Sequence, residues 1–205
     1  MTKIDELWSE WNRIIKPNGA IVMFGSEPFS SKLRLSNLKM YKYDWKWRKS
    51  KANGFLNVKK MPLKDIEDIL IFYKKPPLYN PQGVIKVNKE VINNKGKKNN
   101  KKHKSGHNGG ALKSDKYIQE FSNYPKQVLD FKIESKPVHN TQKPVVLLEY
   151  LIKTYTNEGE TVFDGFIGSG STLVACKNLG RKGIGIELDE KYYNIAKERL
   201  NKKEK

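Results

Sequence analysis

A single cysteine, Cys176, in 205 residues rules out a disulfide framework, and its place on the apolar side of a helical pattern makes the thiol ordinary core. The chain lacks any run of about 18 apolar residues and any signal-peptide pattern, so neither a membrane span nor export is expected and a cytoplasmic location follows. Acids are scarce: 22 Asp and Glu stand against 40 Lys and Arg, a formal charge of +18. That imbalance points to a polyanion partner, of which nucleic acid is the usual one, although a general abundance of Lys and Asn accounts for part of it. Apolar content is low as well, with a mean hydropathy of −0.73, yet the length suffices for one domain with a buried core.

What is present centres on residues 161–188, TVFDGFIGSGSTLVACKNLGRKGIGIEL. The pattern predicts a short strand ending at Asp164, a turn through Gly165, Phe166, Ile167, Gly168, Ser169 and Gly170, and a helix over 171–179 with Leu173, Cys176 and Leu179 on one face, stopped by Gly180. A second strand over 183–186 ends at another acid, Glu187. Glycines admit a ligand close to the backbone at a helix N-terminus, and acids at adjacent strand ends can accept from a ribose or an amine, so the stretch reads as a nucleoside-cofactor pocket. A nicotinamide dinucleotide site is the nearest rival, since Glu187 lies 17 residues beyond Gly170, close to the spacing of about 20 in that fingerprint. The fingerprint wants a small residue where this chain has Leu173, and fails there.

Elsewhere, Ile4, Leu7, Trp8, Trp11, Ile14 and Ile15 fall at helical spacing, with both tryptophans read as core. Residues 20–24 read as a fully apolar strand of the buried, parallel kind. Tyr41, Tyr43, Trp45 and Trp47 alternate with Lys42, Asp44 and Lys46, giving a strand with one aromatic and one polar face, and 68–73 reads as another strand. Between 85 and 113 lysines stand among Asn and Gly with Glu90 the only acid, a composition expected to be disordered when free. From Val145 a helix carries Leu148, Leu151, Ile152 and Tyr155 on one face, and a last helix over 190–200 buries Tyr192 or Tyr193, Ala196 and Leu200.

Asp164-Gly165-Phe166-Ile167-Gly168-Ser169-Gly170 resembles the cofactor motif of DNA amino-methyltransferases, which use S-adenosylmethionine to methylate adenine N6 or cytosine N4. Gly185-Ile186-Glu187-Leu188-Asp189 resembles their ribose-binding motif, and His139-Asn140-Thr141-Gln142-Lys143-Pro144 the segment that precedes the cofactor motif. Gly165 and Asn140 stand where proline is common in the family. The order of the motifs matches the permuted (beta) group. The resemblance implies an α/β, Rossmann-like methyltransferase fold, circularly permuted, with residues 1–80 as part of the catalytic half, a basic target-recognition insert over 81–136, and a cofactor half over 137–205. It implies S-adenosylmethionine held by Asp164, Phe166, Gly168, Ser169, Gly170, Ser171, Thr172 and Glu187, with Thr141, Gln142 and Lys143 alongside. It also implies double-stranded DNA as partner, held through Lys95, Lys97, Lys98, Lys101, Lys102 and Lys104. Restriction-modification systems of bacteria or phage are the setting, with no metal involved.

The family's catalytic Asp-Pro-Pro-Tyr is not found. Pro76-Pro77-Leu78-Tyr79 mimics it, but Lys75 replaces the acid, a leucine intervenes and the preceding strand is the wrong one. No catalytic residue is therefore named, and N-terminal strands are expected to be missing, with two central strand edges left unpaired. The resulting expectation is a site-specific DNA methyltransferase, adenine N6 favoured, in truncated or split form and completed by a separately made N-terminal fragment. A catalytically dead, DNA-binding remnant is the alternative, and a nicotinamide-dependent oxidoreductase the distant third.

Overall fold

The computed structural model describes residues 4–92, 116–139 and 141–202. The six lysines singled out for DNA, Lys95 to Lys104, lie outside the described residues, as does Asn140. The chain forms two compact units, Gly83–Pro125 and the remainder.

In the larger unit, helix α1 (Ile4–Ile14) leads into strand β1 (Ile21–Gly25), helix α2 (Phe29–Ser36), strand β2 (Tyr41–Asn53) and strand β3 (Lys64–Phe72). Strand β6 (Val128–Phe131), helix α3 (Val145–Tyr155), strand β7 (Thr161–Asp164), helix α4 (Ser171–Asn178), strand β8 (Lys182–Gly185) and helix α5 (Glu190–Asn201) complete it. Four strands pair in the order β1-β3-β2-β6, and β7 pairs with β8 in parallel. The apolar run of β1 was expected in a parallel pairing; it runs antiparallel to β3, with Ile21 opposite Phe72 and Gly25 opposite Asp68. Apolar residues at successive positions signal cover on both faces, and here helices supply that cover whatever the strand direction.

Strand β3 displays that cover best, because Ile69, Leu70, Ile71 and Phe72 are all fully buried. Ile69 and Ile71 face a cluster with Trp45, Trp47, Leu147, Leu151 and Tyr155, under α3. Leu70 and Phe72 face Trp8, Leu33 and Met40, under α1 and α2. Helix α3 is buried on two sides: its Leu148 and Ile152 turn away from that sheet and pack with Ala175 and Cys176 of α4, while Val146 and Lys153 stay exposed. The polar side of β2 is not a solvated face. Asp44 and Lys46 lie in an ion network with Arg34 of α2 and Asp68 of β3, in which Arg34 Nη2 reaches Asp44 at 2.9 Å and Asp68 at 2.8 Å, and Lys46 Nζ reaches Asp68 at 2.7 Å.

The smaller unit pairs β4 (Ile85–Ile92) with β5 (Lys116–Ser122), antiparallel. Disorder was expected from residue 85 onward; 85–92 is instead strand, because apolar Ile85, Val91 and Ile92 and a distant partner segment give those residues a ladder. No helix among the described residues is long and apolar enough to cross a membrane.

Candidate cofactor site

The glycine turn between β7 and α4 is closed by the two acids at the strand ends. Asp164 Oδ1 accepts from the Phe166 N–H at 2.9 Å, and its Oδ2 accepts from the Thr172 hydroxyl at 2.6 Å. Glu187 Oε2 accepts from the Gly168 N–H at 2.8 Å, while its Oε1 takes the Leu188 and Asp189 N–H groups at 3.0 and 2.9 Å. One carboxylate thus ties the end of β8 to the middle of the turn after β7, and the backbone bond from Ile167 N to Ile186 O at 3.1 Å doubles that tie. Asp189 then caps α5 by accepting from Lys191 and Tyr192.

Two glycines are fixed by geometry. Gly168 has φ +51°, and a β-carbon there would meet the His139 ring at 3.7 Å. Gly170 has φ +81°, and a β-carbon there would stand 2.8 Å from the β-carbon of Ala196, so α5 can approach only because the side chain is absent. On the same face of α5, Arg199 Nη1 donates to the Ser169 carbonyl at 2.6 Å and to the Ser169 and Ser171 hydroxyls at 3.0 and 3.1 Å. The hydroxyls of Ser169 and Ser171, assigned to the cofactor from sequence, are therefore engaged by α5. Arg199 was not singled out from sequence; its spacing of three from Ala196 on a helix that must pack on the turn is the signal that was available.

The 139–143 segment sits against the same turn. His139 packs edge-on to Tyr192 with ring centroids 4.4 Å apart, and its Nδ1 accepts from the Thr141 N–H at 3.1 Å. Gln142 Oε1 accepts from the Val138 N–H at 3.0 Å. Lys143 points the other way, toward the four-stranded sheet: its ammonium pairs with Glu67 of β3 at 2.7 Å and lies 5.2 Å from the Phe24 ring centre and 5.9 Å from that of Trp47. Lys49 takes the other oxygen of Glu67 at 2.7 Å, so this 8% exposed acid is doubly paired. Lys143 is a fastener between the two sheets, which the sequence motif alone did not reveal. Phe166 at 65% and Leu188 at 99% exposure leave an apolar rim open beside the acids. Among the described residues, no cluster of three or more His, Cys, Asp or Glu is placed to hold a metal ion.

A family model described as DNA methylase, for N6 and N4 methyltransferases, matches residues 2–198. The type II methyltransferase M.HpaI of Haemophilus parainfluenzae is 33% identical over 205 aligned residues, covering 96% of this chain and 58% of that protein. M2.DpnII of Streptococcus pneumoniae is 40% identical over 106 residues, 44% of this chain and 40% of its own length. The chain therefore spans less than two thirds of either relative. Among solved structures, the M1.HpyAVI–SAM complex superposes with a TM-score of 0.66 at 28% identity, over 98% of this chain and 83% of that one. The cytosine-N4-specific PvuII DNA methyltransferase superposes equally well, at 0.66, with 17% identity over 97% of this chain and 71% of that one, a likeness of fold alone. With a match reaching from residue 2 to residue 198 and a relative one third identical across nearly all of it, the chain belongs to the N6/N4 DNA methylase family.

Proposed function

We propose that this chain carries the S-adenosylmethionine site and much of the sheet of a site-specific DNA methyltransferase acting on an exocyclic base amine, adenine N6 rather than cytosine N4. The observation that carries the reading is the clasp of Glu187 on Gly168, which brings the two strand-end acids to one glycine turn. The donor set fits the cofactor. A carboxylate offers about four lone-pair sites; Glu187 uses three and Asp164 two, so each keeps capacity to accept, Glu187 from one ribose hydroxyl and Asp164 from the methionine amine. Thr172 holds Asp164 in place, and Phe166 and Leu188 supply apolar surface for a ring. Thr141 and Gln142 order the loop around His139, and Lys143 fastens it to β3. When bound, S-adenosylmethionine supplies a methyl group activated by the sulfonium.

Among the described residues nothing holds the accepting amine, the work that Asp-Pro-Pro-Tyr does in the family. Among the described residues strand β1 is hydrogen-bonded to β3 alone and β7 to β8 alone, and Phe24 of β1 packs both with the aromatic sheet and, alongside Val162 of β7, with the α3–α4 cluster. We infer that a strand carrying that motif seats between them, in the permuted order, and that the basic 81–136 segment contacts the phosphates of double-stranded DNA.

Labelled-methyl transfer to unmethylated duplex DNA tests this, using the chain alone and the chain joined to a family segment carrying Asp-Pro-Pro-Tyr. Transfer by the joined form only, with methyladenine as product, is expected. Calorimetry on that form should give Glu187→Ala about tenfold weaker cofactor binding or worse, since a buried hydroxyl stripped of its acceptor costs roughly 1 to 3 kcal/mol. Equal affinity removes Glu187 from the site. No transfer by a folded, cofactor-binding fusion identifies a DNA-binding remnant.

A further inference from the structure

A cavity of about 500 Å³ opens at the far end of α3, lined chiefly by Tyr43, Trp45, Tyr73, Pro77, Tyr79 and Gln127. It is not the glycine-turn site. Lys143, fastened near that turn, precedes the first residue of α3 by two, whereas the floor of the cavity is anchored by the last, Tyr155. An 11-residue helix separates its ends by roughly 16 Å.

The floor is rigid. The Tyr155 hydroxyl is bonded at 2.8 Å to both the Tyr43 hydroxyl and the Trp45 indole N–H. Tyr79 lies nearly parallel to Trp45, at 15° and 6.5 Å between centroids, and is tilted on Tyr155 at 6.3 Å. Although packed on that side, Tyr79 remains 45% exposed, so an aromatic surface is presented to solvent on a fixed support. Burial raises the Tyr43 and Tyr79 hydroxyls above their ordinary value, which keeps both as proton donors at neutral pH. The one acid in the wall, Asp44, is answered by Arg34, Lys46 and the Gln127 amide. The rim is basic: Lys42 stands 5.6 Å from the Tyr73 ring centre, and exposed Lys75 and Lys126 adjoin lining residues in the chain, while the Lys74 ammonium turns to the Asn12 carbonyl at 3.4 Å.

Aromatic faces that stack a base, beside lysines that meet a phosphate, form the recurrent device for unpaired nucleotides. We propose that this cavity binds one nucleotide, its base stacked on Tyr79 and its phosphate on the lysine rim. Aromatic grooves also take proline-rich peptides, but such a peptide has no use for a lysine rim. Two sources carry the chemistry, an unpaired residue of a DNA strand and a free mononucleotide. This makes Pro76 to Tyr79, which resembles a catalytic motif, the wall of a second and non-reacting site.

The test irradiates the full chain with a tetranucleotide containing 5-bromodeoxyuridine, and separately with 5-bromodeoxyuridine monophosphate, and maps the adducts by peptide mass spectrometry. Adducts on Tyr79, Tyr73 or Trp45 are expected, with yield falling about tenfold in Tyr79→Ala and little in Tyr79→Phe. A strand is the source if the tetranucleotide labels these residues at lower concentration, and a free nucleotide if the monophosphate does as well. Adducts confined to the lysine-rich segment, equal yield from a folded Tyr79→Ala, or protection by a proline-rich peptide but not by unmodified nucleotides would overturn the proposal. No methyl transfer is read, so the outcome is independent of the proposed activity.

Discussion

Replacing Gly170 by alanine should push α5 back from the glycine turn, and Gly159→Ala isolates the reason. Both glycines have positive φ, +81° and +78°, so both substitutions carry the left-handed strain, roughly 1 to 2 kcal/mol. Both also gain the same small benefit from a stiffer unfolded chain. They differ in what the new methyl meets. At Gly159 nothing lies within 4 Å, whereas at Gly170 it would stand 2.8 Å from the Ala196 β-carbon and 3.1 Å from its α-carbon. Carbon atoms in contact settle near 3.5 to 4.0 Å, so α5 has to move by several tenths of an ångström. Overpacking of that kind costs about 1 to 3 kcal/mol. Urea denaturation followed by tryptophan fluorescence should place Gly170→Ala about 1 to 3 kcal/mol below Gly159→Ala. Equal destabilisation would mean that α5 is not held against the turn, and the argument that Arg199 organises Ser169 and Ser171 would fall with it.

Asp68→Asn should destabilise the fold by about 1 to 3 kcal/mol, because Arg34 and Lys46 each lose one carboxylate and fall back on Asp44; a change under about 0.5 kcal/mol in a urea melt would make the network ornamental. Burial works to raise the carboxyls of Asp68 and Asp44, but Lys46 and Arg34 outweigh it and leave both below the ordinary 3.8. Folded values below unfolded ones give stability that is present above about pH 4 and lost as pH falls through the folded values, so the urea midpoint should drop in that acid window. The Cys176 thiol is 1% exposed and pushed up to about 11, mainly by burial, so iodoacetamide at neutral pH should label it only on unfolding. Changing Lys97, Lys98, Lys101 and Lys102 to Gln should flatten the salt dependence of duplex binding by about 0.9 in log–log slope for each phosphate no longer neutralised; an unchanged slope would make the run a solvated loop.

Local pattern sufficed where structure is local. The β7-turn-α4-β8 unit spans 25 residues, and its elements are written in consecutive positions. The core positions Trp8, Trp45, Leu151 and Cys176 follow from the same periodicities. What escaped depends on distant partners. Alternation along β2 shows that Asp44 and Lys46 share a polar face, but not that α2, with its weakly patterned FSSKLRLS, brings Arg34 to Asp44 there. Nothing near Ile85–Ile92 announces that Lys116–Ser122 will pair with it, since lysines dominate the composition and the register is set across the intervening chain. Lys143 was legible as part of a motif, but its partner Glu67 lies 76 positions earlier.

Helix α3 also governs how the protein can come together. Its Leu147, Leu151 and Tyr155 pack on strands made from residues before 132, and its Leu148 and Ile152 pack with α4, from residues after 170, with Phe24 and Val162 alongside. Neither flank alone hides this helix, so α3 ties the burial of the aromatic sheet to that of α4. During synthesis the side of the aromatic sheet that α3 covers is made before the helix that covers it, and the far side of α3 is covered later still, once α4 has followed.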